Sequence, residues 1–259
     1  MHAMTVSNLA NNLMNPTSLN PEDQPTVLGH VFDAPIVVEG NTGLPLLELC
    51  TWGLLTHVAG NKNPAWNRRE RFTAGAITTI TLFASEWCHN LAHAALASWI
   101  GKPVDAIRIL FGTPLLIYYD SESSQVTPAQ HITRASGGPI FNSLMIPIFW
   151  LARRITQKGS ISYYCMDFAL GANCALTAIA WLPIPSLDGG SILKWSLVLR
   201  GRSSEKADEA VKQVNLAVGA GLAAGSVMAL KKRRKWIGAG MAIFVSICLG
   251  IGLGLLKEQ

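Results

Sequence analysis

The chain has 259 residues, of which 49% are hydrophobic and only 14% are charged, and its formal net charge is +5. A soluble domain ordinarily carries about a quarter charged residues, so this composition indicates a membrane protein and argues against a soluble enzyme. The basic residues form short clusters beside apolar stretches, which is typical of membrane anchoring and argues against nucleic-acid binding.

Residues 1–42 are predicted to form a polar, loosely packed N-terminal leader, since they are rich in Asn and Pro and contain no apolar stretch. Residues 43–259 are predicted to form one membrane domain. A helix needs about twenty apolar residues to cross the hydrocarbon layer. One doubtful candidate is 44–58, and the other candidates are 72–100, 137–151, 161–183, 211–230 and 236–256. Residues 137–151 open with Gly-Gly-Pro, which predicts a helix start there.

Residues 104–119 are rich in Ile, Leu and Tyr and are interrupted at Gly112-Thr113-Pro114. This pattern predicts a β-hairpin or small sheet at the membrane surface. The predicted fold is an all-α integral membrane bundle of five to six transmembrane helices, with the small β-element between the first two core helices. The C-terminal helices are expected within residues 211–256.

Ionisable residues interrupt two of the apolar stretches. Glu86 and His89 lie within 72–100, and Asp188 follows 161–183. Charged groups at membrane depth cost a few kcal/mol or more and usually mark function. In an H-E-x-x-H helix, two histidines one turn apart hold zinc and the glutamate is the general base. Ser85-Glu86-x-x-His89 keeps the glutamate and the second histidine of that pattern.

Three separated motifs resemble the site-2 protease family of intramembrane zinc metalloproteases, and they cover roughly residues 72–200. They are Ser85-Glu86-x-x-His89 with the later Phe111-Gly112-Thr113-Pro114, then Gly138-Pro139-x-x-Asn142, and Pro183-x-Pro185-x-Leu187-Asp188-Gly189. The resemblance implies a catalytic Glu86, a zinc ion on His89 and Asp188, and an Asn142 that holds the substrate backbone.

Two positions depart from the family pattern. Ser85 stands where the family has its first histidine ligand, and a hydroxyl is a poor zinc ligand beside imidazole. Ala180 stands where the family usually has an asparagine. These departures put ordinary proteolysis in doubt, because a zinc ion held only by His89 and Asp188 would bind weakly.

A site shifted by one helical turn would restore a third ligand. Glu86, His89 and His93 fall within an arc of about 60° on one helix face. His89 and His93 have the four-residue spacing by which two histidines share a metal ion. The shifted site would use His89, His93 and Asp188, with Glu86 as a fourth ligand or a displaced base. The alternative is that His93 only packs within the bundle.

Three functions remain open. The first is a degenerate family member with impaired or absent proteolysis, which binds or shelters transmembrane segments of partner proteins. The second is an active zinc metalloprotease that cleaves a transmembrane substrate with Glu86 as base. The third is a small transporter-like protein. All three predict a multi-pass integral membrane protein that contacts lipid and binds no nucleic acid, and its oligomeric state stays open.

The membrane orientation also stays open. The basic clusters at 68–71, 153–158 and 231–235 favour a cytoplasmic start for the Glu86 helix. The family resemblance implies that this helix starts on the outside. The remaining basic residues are nearly as numerous as the clustered ones, so the charge bias counted along the sequence is weak.

Overall fold

The computed structural model describes residues 25–118, 125–185, 187–233, 240–242, 245, 246 and 248. Within these residues the chain is mostly helical, with one small sheet near the N-terminus. It forms two compact units. The first unit comprises Met1–Val126 and Gly137–Ala178, and the second comprises Thr127–Ser136 and Ile179–Gln259.

The sheet of the first unit has four strands in the order β1-β2-β3-β4. They are β1 (Thr26–Val31), β2 (Ala34–Val38), β3 (Ala106–Leu110) and β4 (Thr113–Ile117). Strands β3 and β4 pair antiparallel through a tight turn, in which Phe111 and Gly112 have φ of 50° and 94°. The predicted β-element is therefore confirmed.

The prediction of a loosely packed leader is wrong for Thr26–Val38. Strands β1 and β2 form an antiparallel hairpin, and β2 pairs in parallel with β3 through Ile36–Ile107 and Val37–Arg108. This segment is rich in β-branched residues, which favour strands, but its partner strand is distant in sequence. The first 24 residues of the predicted leader lie outside the described residues.

Two long helices of the first unit pack on each other, α1 (Leu46–Lys62) and α2 (Arg68–Trp99). Asn67 and Glu70 form a capping box at the start of α2, which satisfies two backbone N–H groups there. A side chain at Gly75 would meet the backbone of Thr56, so the glycine allows the two helices to approach closely. The indole of Trp87 donates to the carbonyl of Gly112 at 2.8 Å, which ties α2 to the β3–β4 turn.

Helix α3 (Pro128–Ile155) begins earlier than predicted, and Gly137-Gly138-Pro139 lies inside it. The helix start is instead capped at Thr127 and Gln130, whose side chains and backbone N–H groups bond reciprocally. Tertiary packing explains Gly137 and Gly138, because α2 comes too close to these positions in the first unit for a side chain to fit. Helix α4 (Ile161–Ala180) follows and ends before the Pro-Ile-Pro segment.

In the second unit, α5 (Asp188–Leu199) packs on α6 (Ser204–Lys231). Side chains at Gly189 and Gly190 would meet the carbonyls of Trp181, Leu182 and Ile184, so both glycines are needed where the chain folds back before α5. The imidazole of His131 stacks on the indole of Trp195 at 3.8 Å, so His131 has a packing role.

Two described helices are long and apolar enough to cross a membrane, Pro128–Ile155 and Ser204–Lys231. The second contains the predicted span 211–230, and the first extends the predicted span 137–151. The count of five to six spans stays a prediction. The predicted span 236–256 lies mostly outside the described residues.

Candidate metal centre

Helix α2 presents two imidazole rings on one face, one turn apart. The Nε2 atoms of His89 and His93 lie 3.1 Å apart, and their ring centroids lie 4.8 Å apart at near right angles. Two nitrogens bound to one tetrahedral zinc ion at 2.0–2.1 Å would be about 3.3 Å apart. The two rings therefore already have nearly the separation that a shared zinc ion requires.

Gly138 on α3 makes room for these rings. A Cβ atom at Gly138 would collide with the Nε2 atoms of both His89 and His93. The backbone N–H of Gly138 lies 3.4 Å from Nδ1 of His93, and the side chain of His93 is only 5% exposed. Only a glycine at this position lets the α3 backbone lie directly against the imidazole pair.

Asp188 supplies a carboxylate in the first turn of α5. One ring nitrogen from each of His89 and His93 and one carboxylate oxygen of Asp188 all lie within 4.8 Å of one another. Two imidazoles and a carboxylate are a common donor set for catalytic zinc, which leaves a fourth position open. This group of three side chains could hold a metal ion.

Ser85, in the position of the absent histidine, has a different partner. The carboxamide of Asn173 on α4 donates to Oγ of Ser85 at 3.1 Å and to the carbonyl of Ala169 at 2.9 Å. Ser85 is 6% exposed and Asn173 is fully buried. Because an unpaired hydroxyl in this interior would be costly, the pair stabilises the packing of α2 on α4.

The two rings belong to a motif that the sequence analysis considered only for the spacing of its histidines, without the residue that follows His89. His89-Asn90-Leu91-Ala92-His93 is an H-x-x-x-H sequence with asparagine where H-E-x-x-H has its glutamate. The signal was visible in the four-residue spacing of the histidines. Glu86-x-x-His89 also matches half of the same pattern, one turn earlier, so the sequence alone favours Glu86 as the base.

Asn90 and Glu86 lie at different distances along the helix axis from the two histidines. Asn90 lies about 1.5 Å along the axis from the midpoint of the two histidines, which is the offset of the base in H-E-x-x-H. Glu86 lies about 7.5 Å from that midpoint. The side chain of Asn90 donates to the backbone carbonyl of Glu86 at 3.1 Å. Glu86 is not a member of the His89–His93–Asp188 group.

Asn142 lies one turn after Gly138 on α3 and is fully buried. Neither its carboxamide oxygen nor its carboxamide nitrogen has a hydrogen-bond partner among the described residues. A buried, unsatisfied polar group costs about 1–3 kcal/mol and calls for an explanation. A missing partner that both donates and accepts hydrogen bonds would satisfy the side chain.

A solved structure has a fold similar to that of this chain. The site-2 protease from Methanocaldococcus jannaschii superimposes with a TM-score of 0.50 over 86% of this chain and 92% of that chain, at 15% sequence identity. At this identity the likeness shows the fold alone. It supports a membrane fold built on the site-2 protease plan.

A curated protein of Methanocaldococcus jannaschii, named as a candidate zinc metalloprotease, is similar in sequence. It is 29% identical over 96 residues, which cover 35% of this chain and 48% of that protein. The alignment thus spans about half the length of the relative. No family model matches the chain. The two relatives together confirm the resemblance to the site-2 protease family and support a site-2-protease-like membrane protein.

Proposed function

We propose that this chain is a membrane pseudoprotease, which holds zinc but has lost the general base of a metalloprotease. The observation that carries the proposal is the His89–His93–Asp188 group, which has Asn90 in the position of the base. The zinc-like separation of the two Nε2 atoms and the glycine beside them support a metal at this place. The ligand set is then complete without Ser85.

Zinc held by His89, His93 and Asp188 would act as a Lewis acid on a peptide carbonyl. Hydrolysis also needs a side chain that takes the proton from water and returns it to the leaving amine. The carboxamide of Asn90 cannot accept that proton. Glu86 is about 6 Å further along the helix than the base of H-E-x-x-H, so it is poorly placed to replace it. The chain would therefore bind a peptide segment without cutting it efficiently.

Asn142 supports a peptide ligand for this site. A peptide group offers one N–H donor and one C=O acceptor, which match the two unsatisfied atoms of the buried carboxamide. A transmembrane segment exposes such groups where its helix is locally unwound, because they must find new partners inside the membrane. We therefore propose a transmembrane segment of a partner protein as the client.

Metal content tests the proposal directly. Detergent-purified protein is expected to contain about one zinc ion per chain by elemental analysis. His93→Ala is expected to lose it almost completely, since removal of a ligand costs more than the 10–100-fold that second-shell changes cost. His57→Ala is the matched control, because His57 is exposed and bonds only Asn61 among the contacts described. Metal-free wild-type protein, or equal loss in both variants, would contradict the proposal.

The unsatisfied carboxamide of Asn142 predicts that its removal makes the fold more stable but weakens the binding of a peptide. Asn142→Leu is expected to raise the free energy of unfolding by about 1–3 kcal/mol, because it removes two buried groups that lack partners. The same change should weaken binding of a transmembrane peptide. Asn173→Leu is the control, and it should lower stability because it breaks the bonds to Ser85 and Ala169. Thermal unfolding and peptide titration in detergent measure both effects. Destabilisation by Asn142→Leu would contradict this role.

An active metalloprotease is the second candidate, and the retained Glu86-x-x-His89 spacing favours it. In that case the wild-type chain cleaves a transmembrane peptide, and Glu86→Gln abolishes cleavage while zinc content stays unchanged. A wild-type chain without cleavage, together with full zinc content, supports the pseudoprotease instead.

A further inference from the structure

One end of the first unit is strongly basic. The α1–α2 and α3–α4 connections meet there, because the rings of Trp66 and Tyr164 pack edge to face with centroids 5.4 Å apart. We call this region the basic end. It contains seven basic residues and two acidic ones, namely Lys62, Arg68, Arg69, Arg71, Arg153, Arg154 and Lys158 against Glu70 and Asp167.

Both acidic residues of the basic end are engaged in local contacts. Asp167 accepts a 2.7 Å ion pair from Arg153, and Glu70 caps the backbone N–H of Asn67. The exposed basic side chains are Lys62, Arg68, Arg69, Arg154 and Lys158. The surface of this end therefore presents a cluster of positive charges to its surroundings.

Aromatic rings lie among these charges. The guanidinium of Arg154 lies 4.6 Å from the ring centroid of Trp150, and that of Arg68 lies 5.5 Å from the ring centroid of Phe72. Tryptophan and tyrosine are typical of the membrane–water interface, where Arg and Lys direct their charged ends toward the headgroups. A cavity of about 310 Å³ opens beside them, lined in part by Lys62 and Tyr164.

The opposite end of α2 carries no comparable charge among the described residues. The sheet packs there, and its Arg108 is completely buried in a 2.8 Å ion pair with Glu39. The other described charged residues of this end are one basic residue, Lys102, and two acidic ones, Asp33 and Asp105. A count along the sequence scores Arg108 as a surface charge, and this hides the asymmetry between the two ends.

We infer that the basic end rests on a leaflet of anionic phospholipid, on the cytoplasmic side of the membrane. Positive charge beside membrane helices favours that side, and each basic residue near an anionic surface strengthens attachment about fivefold. The inference rests on the membrane location within the proposed function. His89 lies about 30 Å along α2 from Arg68, so this imidazole is far from the basic end along the helix.

Selective labelling tests the orientation. The full chain is expressed in bacterial membranes, and a membrane-impermeant, amine-reactive reagent is applied to intact cells and to inverted vesicles. Lys62 and Lys158 are expected to react only in inverted vesicles, as determined by mass spectrometry. Labelling of these two residues in intact cells overturns the inference alone. Release of the chain by alkaline carbonate overturns the membrane location as well.

Lipid titration tests the headgroup chemistry. Phosphatidylglycerol is added to the protein in neutral detergent, and the half-maximal rise of Tm gives the apparent affinity. Arg68→Gln/Arg69→Gln/Arg154→Gln is expected to weaken this affinity about 100-fold. Of the single changes, Arg69→Gln should weaken it and Lys102→Gln should not. Equal effects of phosphatidylcholine, an equal response to inorganic phosphate alone, or wild-type affinity of the triple variant would each overturn the inference.

Discussion

Asn90→Glu is expected to convert the chain into a working protease. The change completes the H-E-x-x-H sequence on α2, beside three side chains that could hold a metal ion. A well-placed general base contributes about 10²–10⁴-fold to a hydrolytic rate. Cleavage of a fluorogenic peptide with a twenty-residue apolar segment, reconstituted in detergent with zinc, is the measurement. The wild-type chain should show cleavage at or near background.

Three control variants make this result specific. Asn90→Gln has the same length as the new glutamate but cannot accept a proton, so it should stay inactive with unchanged zinc content. Glu86→Gln, added to Asn90→Glu, should leave the gained activity almost intact, since Glu86 lies about 7.5 Å along the axis from the midpoint of the histidines. Ser85→Ala should also leave it intact, apart from some loss of stability. Activity in wild-type protein that disappears with Glu86→Gln would reverse the assignment of the base.

Gly138→Ala is expected to weaken zinc binding by about 10–100-fold, because it disturbs the orientation of both imidazole ligands. The added Cβ atom would occupy the space of the Nε2 atoms of His89 and His93. One or both rings must therefore rotate away, or α3 must withdraw from α2. Competition with a fluorescent zinc chelator gives the affinity, and circular dichroism gives the thermal stability.

Gly171→Ala is the matched control for Gly138→Ala. Gly171 lies in α4, and nothing lies within 4 Å of a Cβ atom placed there. Alanine in a helix interior is favoured over glycine by about 0.5–1 kcal/mol, so this variant should be slightly more stable and should bind zinc normally. If Gly138→Ala binds zinc as tightly as Gly171→Ala, the metal does not lie between His89 and His93.

Three of the residues that the sequence analysis proposed as ligands lie close together in the structure. His89, His93 and Asp188 were chosen from spacing and motif order, and their ligand atoms lie within 4.8 Å of one another. Their assignment as zinc ligands, and those of Glu86 and Asn142 as functional residues, remain proposals. The position of Asn90 follows from the four-residue spacing of the two histidines, but Glu86-x-x-His89 offers a competing base one turn earlier in the sequence.

Local patterns were sufficient wherever neighbouring residues determine the structure. The apolar composition, the β3–β4 hairpin and the long α2 helix follow from hydrophobicity, strand propensity and capping within a few residues. The parallel pairing of β2 with β3, the burial of Arg108 against Glu39 and the contact of Gly138 with two imidazoles could not be obtained in this way. Each of these depends on contacts between segments far apart in the chain, and helix and strand periodicity carry no information about which distant residues will meet.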